Sequence, residues 1–319
     1  MATLATGKAA AAASSHEEVL GLQLEAAVSA GDLASTQRLL RESESVDPDL
    51  LFVACERGHP EIVACLIESG ISRELVCSPG QTPLHVAATH GHHEVVDLLL
   101  KLGVDAGCSV RCGVTPLLCA AAEGHLRCVA RLMQHGAPVD QARDNGTTPL
   151  FAAAQRGHTD VVRLLLQSNA DADAAMMPVR DADNGMTPLY ACCSNGHAEV
   201  ATLLLSVGGV RVDRRNTMGT TALHIACSRG HAGAVAALLE ARADPDLPGG
   251  SRGACPLLAA AERGHTLCVS LLIEAHADPT LRYAGTGKTA LESACMVFVS
   301  QRKSEKSGKG GGGGGGGGG

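Results

Sequence analysis

Fourteen histidines and thirteen cysteines stand in this chain of 319 residues. Those side chains carry much of the chemistry available near neutral pH: imidazole as general base or metal ligand, thiolate as nucleophile or zinc ligand. Their spacing decides which role is open. Seven histidines follow a glycine, at Gly58-His59, Gly91-His92, Gly124-His125, Gly157-His158, Gly196-His197, Gly230-His231 and Gly264-His265, and successive glycines are 33, 33, 33, 39, 34 and 34 residues apart. Two more, His85 and His224, close the tetrapeptides Thr-Pro-Leu-His and Thr-Ala-Leu-His. Covalent catalysis needs a nucleophile, a base and an orienting group in one place. No His, Cys or Ser leaves the repeat register in that way, so we expect no enzyme activity and no catalytic residue. The cysteines fall at repeat positions such as Cys119, Cys128, Cys192, Cys227 and Cys268, as small buried hydrophobes of a reducing compartment do. The densest group, Cys108 with Cys112, has no second pair beside it to complete the four ligands of zinc, so we expect free thiols, no metal and no cofactor. Ala284-Gly285-Thr286-Gly287-Lys288-Thr289 imitates a phosphate-binding loop, but Arg282 stands where that pattern requires its first glycine.

The elements that must position these residues follow from the same register. At Thr82-Pro83, Thr115-Pro116, Thr148-Pro149 and Thr187-Pro188, a Thr hydroxyl caps free backbone N–H groups while Pro takes the first helical position, where its missing N–H costs nothing. The spacing predicts a short helix from Pro83 that ends at Gly91, a residue suited to the left-handed conformation of a helix end. His92 then opens a second helix. Acidic residues in its first turn (Glu61, Glu94, Asp160, Glu199) suit the positive end of the helix dipole, and Val95, Val96, Leu98 and Leu99 form an apolar stripe at helical spacing. Such short helices are marginal alone in water, so each pair needs neighbours that bury its stripe.

A period of about 33 residues built on Thr-Pro-Leu-His-x-Ala and Gly-His resembles the ankyrin-repeat family, and the resemblance covers roughly residues 20 to 297. It implies an all-α dominated fold, an ankyrin-repeat solenoid of stacked helix-turn-helix units joined by β-hairpin loops. It also implies that His85, His224 and the Gly-His histidines hydrogen-bond the backbone of neighbouring turns. In domain terms we expect a disordered leader at 1–19, an N-terminal capping repeat at 20–47 and an array of seven Gly-His repeats at 48–285. An incomplete repeat at 286–300 follows, then a basic and polyglycine tail at 301–319, disordered by composition.

With two Tyr, three Phe and no Trp, a single globular core would rest almost wholly on small aliphatics, whereas a stack needs only a thin strip of them. A net charge of −7 gives no general attraction for nucleic acid. No apolar run approaches the roughly 20 residues that cross a bilayer, and Met1 to Ser15 lacks a secretory h-region. We therefore expect a soluble monomer in the cytoplasm, with the nucleus as the alternative, that binds neither nucleic acid nor membrane.

What remains is recognition of another protein. The resemblance implies contacts through the concave face and the hairpin tips, as in a scaffold or adaptor. The alternative is the recognition region of a larger protein of ligase, kinase or channel type. The residue before each Gly-His pair reads Arg57, His90, Glu123, Arg156, Asn195, Arg229 and Arg263, and the residue before that includes Gln155. Four arginines in seven copies make a broken basic line suited to an acidic or phosphorylated segment of a partner. The 39-residue step lengthens the hairpin between Asn169 and Gly185, and insertions of this kind go to loops on one face, often the binding face. Met176 and Met177 within it are expected to be exposed and adaptable. The candidate partner-binding residues are thus Arg57, His90, Gln155, Arg156, Asn195, Arg229, Arg263, Met176 and Met177.

Overall fold

The computed structural model describes residues 2–43, 45–77, 80–176, 185–250, 253–282 and 287–292. The chain divides into two compact units, Met1–Asp144 with Gln167–Ala170, and Asn145–Leu166 with Asp171–Gly319.

In the first unit the helices come in pairs: α1 (Ala2–Ala30) with α2 (Leu33–Glu42), α3 (Leu50–Arg57) with α4 (Pro60–Glu68), α5 (Pro83–His90) with α6 (His93–Lys101), and α7 (Pro116–Glu123) with α8 (Leu126–Gln134). First helices pack on first helices in the order α1, α3, α5, α7, and second helices in the order α2, α4, α6, α8. Composition leads to a structureless leader over 1–19; the backbone is instead helical from Ala2. Alanine is the best helix former, and the Ala-rich leader runs without proline, and with glycine only at Gly7 and Gly21, into the buried stripe of Leu20, Leu24, Ala27 and Val28. Asp32 caps α2 by accepting the Ser35 N–H at 3.0 Å.

The second unit repeats the scheme with α9 (Pro149–Arg156) and α10 (Thr159–Gln167), α11 (Pro188–Asn195) and α12 (Ala198–Leu205), α13 (Ala222–Arg229) and α14 (Ala232–Glu240), and α15 (Pro256–Glu262) and α16 (Thr266–Glu274). Here α9, α11, α13 and α15 stack in order, and α12, α14 and α16 stack behind them. In each unit the core is a strip of equivalent positions. The leucine after each helix-opening Pro or Ala (Leu84, Leu117, Leu150, Leu189, Leu223, Leu257) is buried in every copy, as is the fourth residue after each Gly-His histidine from Val63 to Val235.

Three of the four Thr-Pro caps form as the spacing predicts: Thr115, Thr148 and Thr187 accept from the N–H groups of Leu118, Phe151 and Tyr190 at 3.1, 3.1 and 3.2 Å. Thr82 does not cap its helix, because its hydroxyl is turned to the ring of His85, 2.8 Å away. The predicted β-hairpins are reduced, among the described residues, to isolated antiparallel bridges, Val110 with Val114, Gly249 with Ala254 and Arg282 with Thr289.

The loop that imitates a phosphate site is, where described, the opening of one more helix. Thr289 and Glu292 form a reciprocal cap, the Thr289 N–H donating to Glu292 Oε2 at 2.8 Å and the Glu292 N–H to Thr289 Oγ1 at 3.3 Å. The apolar stretch Met296 to Val299 and the tail at 301–319 lie outside the described residues.

Candidate functional site

Each Gly-His histidine has two jobs, one per end. Its backbone stands at the N-cap of the second helix, so that the His92 carbonyl accepts from Val96 and the His231 carbonyl from Val235, each at 3.0 Å. In His59, His92, His125, His197, His231 and His265 the ring turns back toward the preceding repeat of the same unit. The Nε2–H groups of His92, His125, His197 and His231 donate to the carbonyls of Glu56, Thr89, Gln155 and Ser194 at 2.7, 2.9, 3.1 and 3.1 Å. Those carbonyls belong to the last turn of the preceding first helix, where carbonyl groups lack intrahelical donors. The ring lies so close over the preceding glycine that a Cβ on Gly196 would stand 2.7 Å from the His231 ring. Gly196 also has φ +83°, so the position demands glycine twice.

The same helix ends hold the candidate recognition residues. In the second unit three of them meet, and a fourth, Arg263, repeats the arrangement one repeat further on. Asn195 Nδ2 donates to the Gln155 carbonyl at 2.7 Å, beside His197 on the same oxygen. Arg229 Nη1 donates to the Ser194 carbonyl at 2.8 Å, beside His231, and makes a longer contact of 3.4 Å with Asn195 Oδ1. Arg263 Nη1 donates to the Ser228 carbonyl at 3.0 Å. Gln155, Asn195, Arg229 and Arg263 are all exposed, as is Arg156 at the end of α9. The sequence marks these positions as differing from copy to copy but not that the side chains of Asn195, Arg229 and Arg263 lie along the stack, each on the repeat before it. Ser194 and Ser228 contribute through their carbonyls, a role that residue type does not announce. Tyr190, half-buried on α11, is the other group absent from the sequence-based set: burial pushes its hydroxyl up, and the neighbouring Arg229 guanidinium acts against that shift.

In the first unit, Arg57 and His90 occupy the same register and are exposed. His90 Nδ1–H donates to the Val86 carbonyl of its own helix at 2.9 Å, and its ring stacks on His92 at 6.3 Å.

The long hairpin is held at its base. Arg211 Nε and Arg214 Nη1 reach Asp173 Oδ2 at 2.8 and 2.9 Å, and Arg214 also donates to the Asp173 carbonyl at 2.6 Å. Met176 pairs its backbone with Met186 and Gly185 at 2.9 and 3.2 Å. Met176 is half-buried, not exposed as its place in an insertion suggests, because this pairing folds it onto the hairpin base. Met177 lies outside the described residues.

His85 and His224 part company. His85 is fully buried, its Nε2 3.0 Å from the Val114 carbonyl and its pKa lowered by burial against that bond. The His224 ring, at the equivalent position, is packed against Gly249, and among the described residues both its ring nitrogens are buried without a partner. Among the described residues the backbone bond implied for it by the resemblance is absent, and Thr221 caps α13 where Thr82 turns to the ring of His85. Burial, and secondarily Arg263, lowers its pKa.

Among the described residues no group of three or more His, Cys, Asp or Glu could hold a metal ion. Cys108 is half-buried and its thiol is pushed up to about 11, mainly by burial, whereas Cys112 is exposed. No helix among the described residues is long and apolar enough to cross a membrane.

A family profile described as "Ankyrin repeats (3 copies)" matches residues 24–110, 102–176 and 174–249, and one described as "Ankyrin repeat" matches 252–283. A crystal structure of the human ASB11 ankyrin repeat domain is similar over 67% of this chain and 92% of its own, with 30% identity and a TM-score of 0.59. Comparison with curated proteins finds no match.

Proposed function

Because this chain belongs to the ankyrin-repeat family, whose repeats are generally protein–protein interaction modules, we propose that it is a non-catalytic scaffold or adaptor. It binds its partner through the face lined by the ends of the first helices and through the hairpin tips. The partner presents an acidic or phosphorylated segment to the arginine line. One observation carries this reading. Arg229 and Arg263 are exposed and, among the described residues, neither has a carboxylate within ion-pairing distance, although the chain carries a net charge of −7. Elsewhere in the same unit Arg211 and Arg214 share the carboxylate of Asp173. Arg is suited to this task by its planar fork, which takes carboxylate or phosphate oxygens in pairs.

The test is capture from cell extract followed by affinity measurement with the purified partner. The intact chain is compared with an Arg156→Glu, Arg229→Glu version whose thermal melt shows that it is folded. Loss of the partner from the reversed version is the expected result. Equal affinity for both versions removes the arginine line from the function.

A further inference from the structure

Arg229 and Arg263 are fixed in the same way, one repeat apart. Each reaches back along the stack and spends Nη1 on a helix-end carbonyl, Ser194 at 2.8 Å and Ser228 at 3.0 Å. Asn195 adds a second, longer contact to Arg229. A guanidinium has five N–H donors. With Nη1 bound to protein, the Nε–H and Nη2–H edge remains, and its two parallel donors match the two oxygens of one carboxylate. No partner for that edge exists among the described residues, and neighbouring Glu262 makes no ion pair with Arg263. The side-chain freedom of a surface arginine is already reduced before any ligand arrives, which lowers the cost of binding. Helices α13 and α15, which carry the two arginines, pack directly on each other, and packed helices lie about 8–10 Å apart. A chain in the polyproline II conformation has three residues per turn and advances about 3.1 Å per residue, so side chains three residues apart face the same way and match that step.

We propose that Arg229 and Arg263 form a two-pronged clamp for a peptide in the polyproline II conformation whose carboxylates are three residues apart and on one side, an acidic-x-x-acidic segment lying along the stack across α11, α13 and α15. This rests on the protein-binding reading above and adds to it the charge, spacing and direction of the bound segment. The half-buried ring of Tyr190 beside Arg229 offers the intervening residues an apolar surface.

The experiment is fluorescence anisotropy on the full chain. The probes are labelled Glu-x-x-Glu peptides, Glu-x-Glu and Glu-x-x-x-x-x-Glu controls, and a phosphoserine peptide of the three-residue spacing. Arg229→Gln and Arg263→Gln are each expected to weaken the Glu-x-x-Glu peptide about fivefold, and the double variant about twentyfold or more. Arg229→Lys, which keeps the charge and loses the fork, should weaken it nearly as much as Arg229→Gln; a thermal melt of each variant separates lost binding from lost folding. Removing one Glu from the peptide should silence one of the two substitutions. Binding indifferent to spacing, an Arg229→Lys variant of full affinity, or binding of the phosphoserine peptide alone overturns the clamp. If the peptides fail but a captured partner is still lost with Arg156→Glu, Arg229→Glu, the spacing is wrong and the binding surface stands. If that partner is retained as well, the arginine line itself falls.

Discussion

At Gly196 a single hydrogen atom separates a working repeat junction from a clash, because the His231 ring occupies the space a side chain would need. Gly136 has almost the same backbone, φ +84° against +83°, with nothing within 4 Å of its Cβ direction. Gly136→Ala is therefore expected to cost about 1–2 kcal/mol for the left-handed backbone alone. Gly196→Ala adds an overpacking penalty of about 1–3 kcal/mol. Urea unfolding of both variants measures the difference, and equal losses would mean that the ring moves aside freely. Histidine burial leads to a second prediction. His85 and His224 have folded pKa values below the ordinary histidine value, so the unfolded chain binds protons first as pH falls. The stability they contribute is complete above about pH 6.5 and is lost as pH drops from there toward their folded values. Urea midpoints at about pH 7.5 and about pH 5.5 should show the decline, and NMR titration should find both rings neutral below the usual range. The thiols differ by location: Cys128 is pushed up to about 12 by burial, whereas Cys112 is exposed. Iodoacetamide should label Cys112 long before Cys128, as read by peptide mass spectrometry.

Among elements, the first helices differ in how one threonine is used. Thr187→Ala removes an N-cap and should cost about 1 kcal/mol. Thr82→Ala removes no cap; it strands the ring nitrogen of a fully buried His85 and should cost about 1–3 kcal/mol. Thermal melts of the two variants, with a His85→Gln background to cancel the second effect, distinguish the roles. The leucine of each first helix shows what a helix gains from its neighbours. Leu189 is 1% exposed, whereas Leu291, at the same position of the last described helix opening, is 69% exposed. Leu189→Ala should cost about 3 kcal/mol, and Leu291→Ala less than about 0.5 kcal/mol.

Considered whole, each unit is a row of nearest-neighbour contacts, so its stability is local and its ends are weakest. In the second unit Val235 of α14 is fully buried, while Val269, its equivalent in α16, is only half-buried and Ile273 is 47% exposed. Hydrogen exchange should therefore release the amides of α16 before those of α14, and a ligand on Arg229 and Arg263 should slow α13 and α15 more than α9. Uniform protection along the unit would show cooperativity that nearest-neighbour stacking does not supply.

Unlike the helix of the leader, the repeat period, the paired helices of the repeats, the buried leucines and the glycine that ends most first helices were legible in the residues alone. Each is set by backbone preference and by apolar spacing within a few residues of itself. Which atom each polar side chain meets was not. Arg229 and Ser194 are 35 positions apart, and His197 and Gln155 are 42 apart. Such pairs exist only once one repeat has stacked on another. The same holds where likeness misled: His85 and His224 share a tetrapeptide frame, but the neighbouring hairpin offers one a carbonyl and presses two glycines against the other. Sequence determined that this chain stacks and what faces inward; tertiary packing decided which side chains bind the stack and which donors remain for a partner.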